Sequence, residues 1–197
     1  MEYTIKKGIE EEPVLILLHG TGGNENSLMD VGKALNDQAT LIGIRGKTLE
    51  NGYPRFFNRL EEGIFDEEDL EARAIELHEF ILTLVKENQL DLADVVLVGY
   101  SNGANIGVRL LLDYPESYQK AVLFHPMYPV VVDDKTDLSQ THIFATMGEQ
   151  DPIVTVFESY RVMELLKDRG AEIIEEWTKN HQLTFLEVER AKKWLNE

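Results

Sequence analysis

The stretch from residue 95 to 113 constrains the chain most. Val95-Val96-Leu97-Val98 is a continuous apolar run, the pattern of a strand buried on both faces. Gly99-Tyr100-Ser101-Asn102-Gly103 follows, and residues 104–113 then read as an amphipathic helix. Strand, sharp turn and helix therefore meet at a G-x-S-x-G corner. At such a corner the serine sits on a strained turn with its hydroxyl proud of the sheet edge. The flanking glycines leave room where strand and helix backbones approach closely. The pentapeptide alone is weak, since it could be an ordinary turn that happens to hold a serine. The strand before it and the helix after it give it weight.

The same alternation runs through the chain. Residues 3–7 read as a short edge strand. Pro13 introduces the buried run 14–18, which ends in His19-Gly20-Thr21-Gly22-Gly23. Ser27-Leu28-Met29-Asp30 opens a helix, and residues 39–44 form the next strand. Residues 45–65 read as a long irregular stretch whose aromatics argue against disorder. Asp66 then caps a helix with the stripe Leu70, Ala74, Leu77, Ile81, Leu84 and Val85. Further strands are expected at 121–124, 143–146 and 171–177. A helix between the last two closes at Gly170. Thr184 and Glu187 form a capping box for the final helix, with Leu183 and Val188 as its staple. Strand alternating with helix predicts an α/β fold, a doubly wound and mainly parallel sheet with helices on both faces. The length, 197 residues, predicts one domain over residues 1–197.

Composition closes several doors. Nineteen Lys and Arg against 36 Asp and Glu leave a formal charge of −17. That balance argues against nucleic acid and against an anionic membrane surface as partners. No apolar run is long enough to span a bilayer. The chain has no cysteine, which excludes disulfides and thiol chemistry and fits a reducing cytoplasm. The first residues lack a basic stretch followed by an apolar core, so no signal peptide is expected. A homodimer is left open.

In a doubly wound sheet, sites form at the carboxyl ends of strands. A serine nucleophile at 101 needs a base, an acid and oxyanion donors, and these should follow strands too. Among five histidines, His78 lies inside the long helix and His142 at the start of a strand. His78-Glu79 fails as a zinc motif because position 82 is Leu. His125 follows a strand and competes as base. His181 follows the last strand and stands in the chain order serine, acid, histidine. Asp151, in Gly148-x-x-Asp151-Pro152, is the acid expected between them, with Glu149 as runner-up. The oxyanion donors expected for this architecture are the N–H groups of Thr21 and Asn102. Neither glycine-rich phosphate-binding pattern is present in the 19–23 turn. Tyr53, Phe56 and Phe57 are expected to supply apolar pocket surface or, alternatively, a satellite core under the loop.

With these residues quoted, the chain resembles the small phospholipase/carboxylesterase family of α/β-hydrolases, which contains acyl-protein thioesterases and bacterial carboxylesterases. The likeness spans nearly the whole chain. It is carried by residues 17–23, 99–105, 148–154 and 180–183. The stretch from Arg45 to Phe57 is similar to a bacterial branch linked to quinone and thiol-reactive stress. The resemblance implies a catalytic triad of Ser101, Asp151 and His181. It also implies Thr21 and Asn102 as oxyanion donors, no large lid domain, no metal or cofactor, and a small-molecule ester substrate. Many members carry a bulky apolar residue where Thr21 stands and Gln where Asn102 stands. Other hydrolytic chemistries stay open on the same residues, a thioesterase or a C–C bond hydrolase, as does a non-catalytic binding protein on this scaffold.

Overall fold

The computed structural model describes every residue except Asp134. The elements in chain order are β1 (Tyr3–Lys6), β2 (Val14–Leu18), α1 (Met29–Leu35), β3 (Thr40–Ile44), β4 (Thr48–Glu50), β5 (Tyr53–Arg55), β6 (Arg59–Glu61), β7 (Ile64–Phe65) and α2 (Glu67–Glu87). They continue with β8 (Val95–Tyr100), α3 (Asn102–Asp113), β9 (Lys120–Phe124), β10 (His142–Gly148), α4 (Val156–Lys167), β11 (Glu172–Thr178) and α5 (Phe185–Leu195). Seven strands form one sheet in the order β1-β3-β2-β8-β9-β10-β11. Every neighbouring pair is parallel except β1 with β3. The fold is thus α/β, a mostly parallel sheet flanked by helices.

The apolar runs explain the layering. All five residues of β2 are buried, as a central parallel strand requires. Successive side chains point to opposite faces, and the core divides accordingly. Val14, Ile16 and Leu18 pack with α2, α3 and α4. Leu15 and Leu17 pack with α1 and α5. In α2 the buried residues are Leu70, Ala74, Leu77, Ile81, Leu84 and Val85, the stripe expected from the sequence. Asp66 accepts the Asp69 N–H at 3.1 Å, and Thr184 and Glu187 cap each other in a capping box. Among the described residues no helix is long and apolar enough to cross a membrane.

Register brings the strand ends level. Leu18 stands opposite Gly99, Tyr100 opposite Phe124, Phe124 opposite Thr146 and Gly148 opposite Thr178. The segments that follow β2, β8, β9, β10 and β11 therefore open onto one edge of the sheet.

One expectation needs correcting. Residues 45–65 are not irregular but contain two small antiparallel hairpins, β4–β5 and β6–β7, outside the main sheet. The first turns at Asn51 and Gly52, both at positive φ (51° and 84°). Asn-Gly is the preferred pair for a tight two-residue hairpin because both residues tolerate left-handed backbone. The second hairpin turns at Gly63, also at positive φ.

Candidate active site

Ser101 occupies the corner between β8 and α3 with φ +52° and ψ −116°. Non-glycine residues held at such angles carry about 1–3 kcal/mol of strain and need support from their surroundings. That support is present: the Ser101 N–H donates to the Phe124 carbonyl, and the Ser101 carbonyl accepts the Asn105 N–H, both at 2.9 Å. The glycines are steric necessities. A Cβ on Gly103 would run into the Leu18 carbonyl, and one on Gly99 into the backbone of Ala104.

His181 and Asp151 converge on this corner from the ends of β11 and β10. The Ser101 Oγ lies 2.9 Å from His181 Nε2, and His181 Nδ1 lies 2.6 Å from Asp151 Oδ2. The other Asp151 oxygen accepts the N–H groups of Ile153 and Val154 at 2.7 and 2.9 Å. These two bonds fix the carboxylate and leave Oδ2 for His181. With Asp151 facing Nδ1, the ring carries its proton there and presents Nε2 as an acceptor to the serine hydroxyl. The Tyr100 hydroxyl donates to the His181 carbonyl at 3.0 Å and steadies the loop. Glu149, by contrast, is exposed.

The other histidines are placed elsewhere. His78 stacks on Tyr114 and meets the Tyr118 hydroxyl at 2.8 Å. His142 is exposed, 3.1 Å from Glu172. His19 is buried beneath the glycine-rich turn, where its Nδ1 bonds the Gly20 carbonyl at 2.6 Å and its Nε2 accepts the Gly46 N–H at 3.1 Å. Burial holds its imidazole below the ordinary range, so at neutral pH it serves as an uncharged bridge. His125 does not reach Ser101. It is buried at the end of β9, with Nε2 2.8 Å from Glu187 Oε1 and Nδ1 3.8 Å from Asp151 Oδ2. The closer contact runs off the ring N–H direction. Burial raises the Glu187 carboxyl, but the His125 ring, Thr184 and Thr146 together hold it below the usual carboxylate range. The capping box marked Glu187 in the sequence, yet nothing there signalled that its side chain lies against His125.

His125, Asp151 and His181 also gather a donor set in which the nitrogens and oxygens lie within 4.8 Å of one another. Two ligands of one tetrahedral zinc stand about 3.4 Å apart, given bonds near 2.1 Å. The 2.6 Å contact between His181 and Asp151 is too short for that and is a hydrogen bond.

A cavity of about 330 Å³ opens at Ser101. Thr21 and Asn102 line it. The N–H of Asn102, the first residue of α3, has no intrahelical acceptor. The Thr21 N–H makes no backbone hydrogen bond among the described residues. Segment 54–56 braces both positions. Pro54 accepts the Gly22 N–H at 2.8 Å, Arg55 Nη1 donates to Thr21 Oγ1 at 2.9 Å, and the Phe56 N–H donates to Asn102 Oδ1 at 2.7 Å. Thr21 and Asn102 thus both grip this segment through their side chains.

Phe56 and Phe57 do not line the cavity but belong to the buried core, which corrects the pocket-surface expectation for them in favour of the core alternative. They are 2% and 0% exposed. Phe56 packs on His19 and Phe57 edge-on to Phe65, each at 4.8 Å between ring centres. Tyr53 is exposed and lies against Gly22, outside the cavity lining. The wall from this region is formed by Arg55, Arg59, Glu62, Gly63 and Phe65 instead. Neither arginine belongs to a motif or periodic pattern that would mark it as lining a cavity.

The arrangement is that of a serine aligned with a base and a carboxylate beside two unspent backbone donors. Comparison with known proteins places the whole chain in a family. The family model for Phospholipase/Carboxylesterase matches residues 1–197. The putative hydrolase MhqD of Bacillus subtilis (strain 168) is 43% identical over 198 residues, covering 100% of this chain and 98% of that protein. The Bacillus cereus carboxylesterase superposes with a TM-score of 0.96 at 44% identity, over 100% of this chain and 93% of that one. YahD, solved with malic acid, superposes at 0.95 with 30% identity, over 99% and 98% of the two chains. The chain belongs to the phospholipase/carboxylesterase family and is a hydrolase of carboxylesterase type.

Proposed function

We propose that the protein is a serine esterase that cleaves carboxylic esters of compact acids through an acyl-enzyme. The observation that carries this reading is the aligned Ser101–His181–Asp151 chain, at 2.9 and 2.6 Å, on a strained elbow. Ser101 Oγ attacks the acyl carbon while its proton passes to His181 Nε2. The N–H groups of Thr21 and Asn102 receive the negative oxygen of the tetrahedral intermediate, each such donor contributing about 2.7–4 kcal/mol. Asp151 stabilises the imidazolium without taking its proton. His181 returns the proton to the leaving alcohol, then activates water to release the acid. The cavity of about 330 Å³ at Ser101 favours compact acyl groups over long lipids, and the relative that holds malic acid is compatible with that size. A cytoplasmic setting fits a chain without cysteine.

A fluorophosphonate probe tests the reading. The wild-type protein should label at Ser101 and hydrolyse aryl acetates. Ser101→Ala and His181→Ala should do neither, with turnover down about 10⁶-fold. Labelling that persists in Ser101→Ala would overturn the assignment. Matched oxygen esters, thioesters and diketones then separate the esterase from a thioesterase or a C–C hydrolase.

A further inference from the structure

The cavity has two chemically distinct sides. Strand order places the β4–β7 insertion, which follows β3, on one side of Ser101, and the segments after β9 and β10 on the other. The second side contributes Met127, Ile153 and Val154, all apolar. The first contributes two guanidinium groups, Arg55 and Arg59. In a chain of formal charge −17, two cations meeting beside the candidate nucleophile require an explanation.

Structural duty accounts for only part of them. Arg55 spends Nε on the Phe57 carbonyl at 3.2 Å and Nη1 on Thr21 and Glu50. Arg59 spends Nε on Glu50 at 2.8 Å. Arg55 Nη2 and both terminal nitrogens of Arg59 have no partner among the described residues. One carboxylate, Glu50, is shared between two cations, 3.2 Å from Arg55 and 2.8 Å from Arg59. Glu62 lies exposed on the same lining and makes no ion pair among the described residues. The Arg55 side chain is only 6% exposed. Burial depresses its guanidinium, Glu50 opposes that, and Arg59 adds to it. A buried, incompletely neutralised cation is unfavourable, and an anion entering the cavity relieves it. The planar fork of arginine suits a carboxylate in particular.

We propose that Arg55 and Arg59 form an anion-receiving subsite, so that the preferred substrate is an ester one of whose halves carries a carboxylate. The inference rests on the esterase reading above. The charged half lies toward the β4–β7 insertion and the remainder toward Met127, Ile153 and Val154. Arg55 also braces Thr21, so Arg59 is the cleaner position to test.

Two matched substrate pairs read the preference. The first pair is 4-nitrophenyl hemisuccinate against its methyl ester, which places the charge in the acid half. The second is 4-acetoxybenzoate against its methyl ester, which places it in the alcohol half. The wild-type protein should favour the charged member of one pair in kcat/KM, and that pair identifies the half. Arg59→Gln should lower the charged-to-neutral ratio about tenfold, one screened charge-assisted contact being about 1.4 kcal/mol. Arg59→Glu should lower it further, and added salt should shrink the wild-type preference, since the Arg59 side chain is 31% exposed. The ratio is internal to each variant, so a general loss of activity cancels. Fluorophosphonate labelling of Ser101 in each variant checks that the triad is intact. No preference in either pair, or a ratio unchanged in both Arg59 variants, overturns the subsite while leaving the esterase reading standing. If no ester is turned over and Ser101 does not label, the esterase reading fails. Calorimetric binding of succinate then decides the subsite: binding lost in Arg59→Glu supports it, and no wild-type binding overturns it.

Discussion

Adjacent strands β8 and β9 end in the same unusual way. Ser101 and His125, neither a glycine, take φ of +52° and +54°. The two corners are tied together, because the Ser101 N–H donates to the carbonyl of Phe124, the residue just before His125. Their surroundings differ. Ser101 opens onto the cavity and meets His181. His125 is 1% exposed and meets Glu187. Backbone strain at a strand end therefore does not by itself mark a reactive residue. It aims a side chain out of the sheet, and what lies there decides between chemistry and packing.

Asp151 stands between the corners, with Oδ2 at 2.6 Å from His181 and 3.8 Å from His125. The largest effect expected here is that of Asp151→Asn, which presents the wrong hydrogen-bonding partner to His181. Turnover of an aryl acetate should fall about 10⁴-fold. Glu149→Gln, at an exposed position, should change it by no more than about twofold. If the two results are exchanged, the acid has been misassigned and the two corners do not share it.

The parts of this arrangement that local sequence could reveal are those written in local backbone geometry. The elbow, the glycine-rich turn after β2 and the helix caps each require particular residues at fixed offsets. The alternation of buried runs and amphipathic helices carried the sheet with them. The insertion was harder. Asn51-Gly52 is a hairpin signal in plain view, but the strands it joins are three residues each and too short for a clear period. Which face of so short a strand is buried depends on what it packs against, so Phe56 and Phe57 could not be told from cavity-lining aromatics. Glu187 and Arg55 illustrate the same limit from the polar side. Charged residues are by default solvated, and only tertiary placement makes Glu187 2% exposed and Arg55 5%.

The contact at the second corner can be measured directly. His125→Asn retains a residue that tolerates left-handed backbone. Glu187→Gln retains one able to complete the capping box. His125→Asn should destabilise more, about 3–5 kcal/mol, because it strands an ionised carboxylate in the interior. Glu187→Gln should lose about 1–3 kcal/mol, the range for a buried polar group whose partner is replaced. Denaturant unfolding of the double variant should fall well short of the sum. Strict additivity would mean that His125 and Glu187 are merely adjacent, and the corner would then be explained by packing alone.

The smallest effect concerns acid. Because the folded Glu187 carboxyl lies below the ordinary range, the unfolded chain binds its proton more readily. The stability this group contributes is therefore complete above its unfolded pKa of about 4.3 and is lost as pH falls through the folded value, at about 1.4 kcal/mol for each pH unit separating the two. Glu187→Gln should flatten the dependence of unfolding free energy on pH below about 4.3. Ser101→Ala, at the neighbouring corner, removes no titrating group and should leave that slope as it is. An unchanged slope in Glu187→Gln would place the acid sensitivity in other carboxylates. A slope that moved with Ser101→Ala would mean that the two corners respond as one electrostatic unit through Asp151.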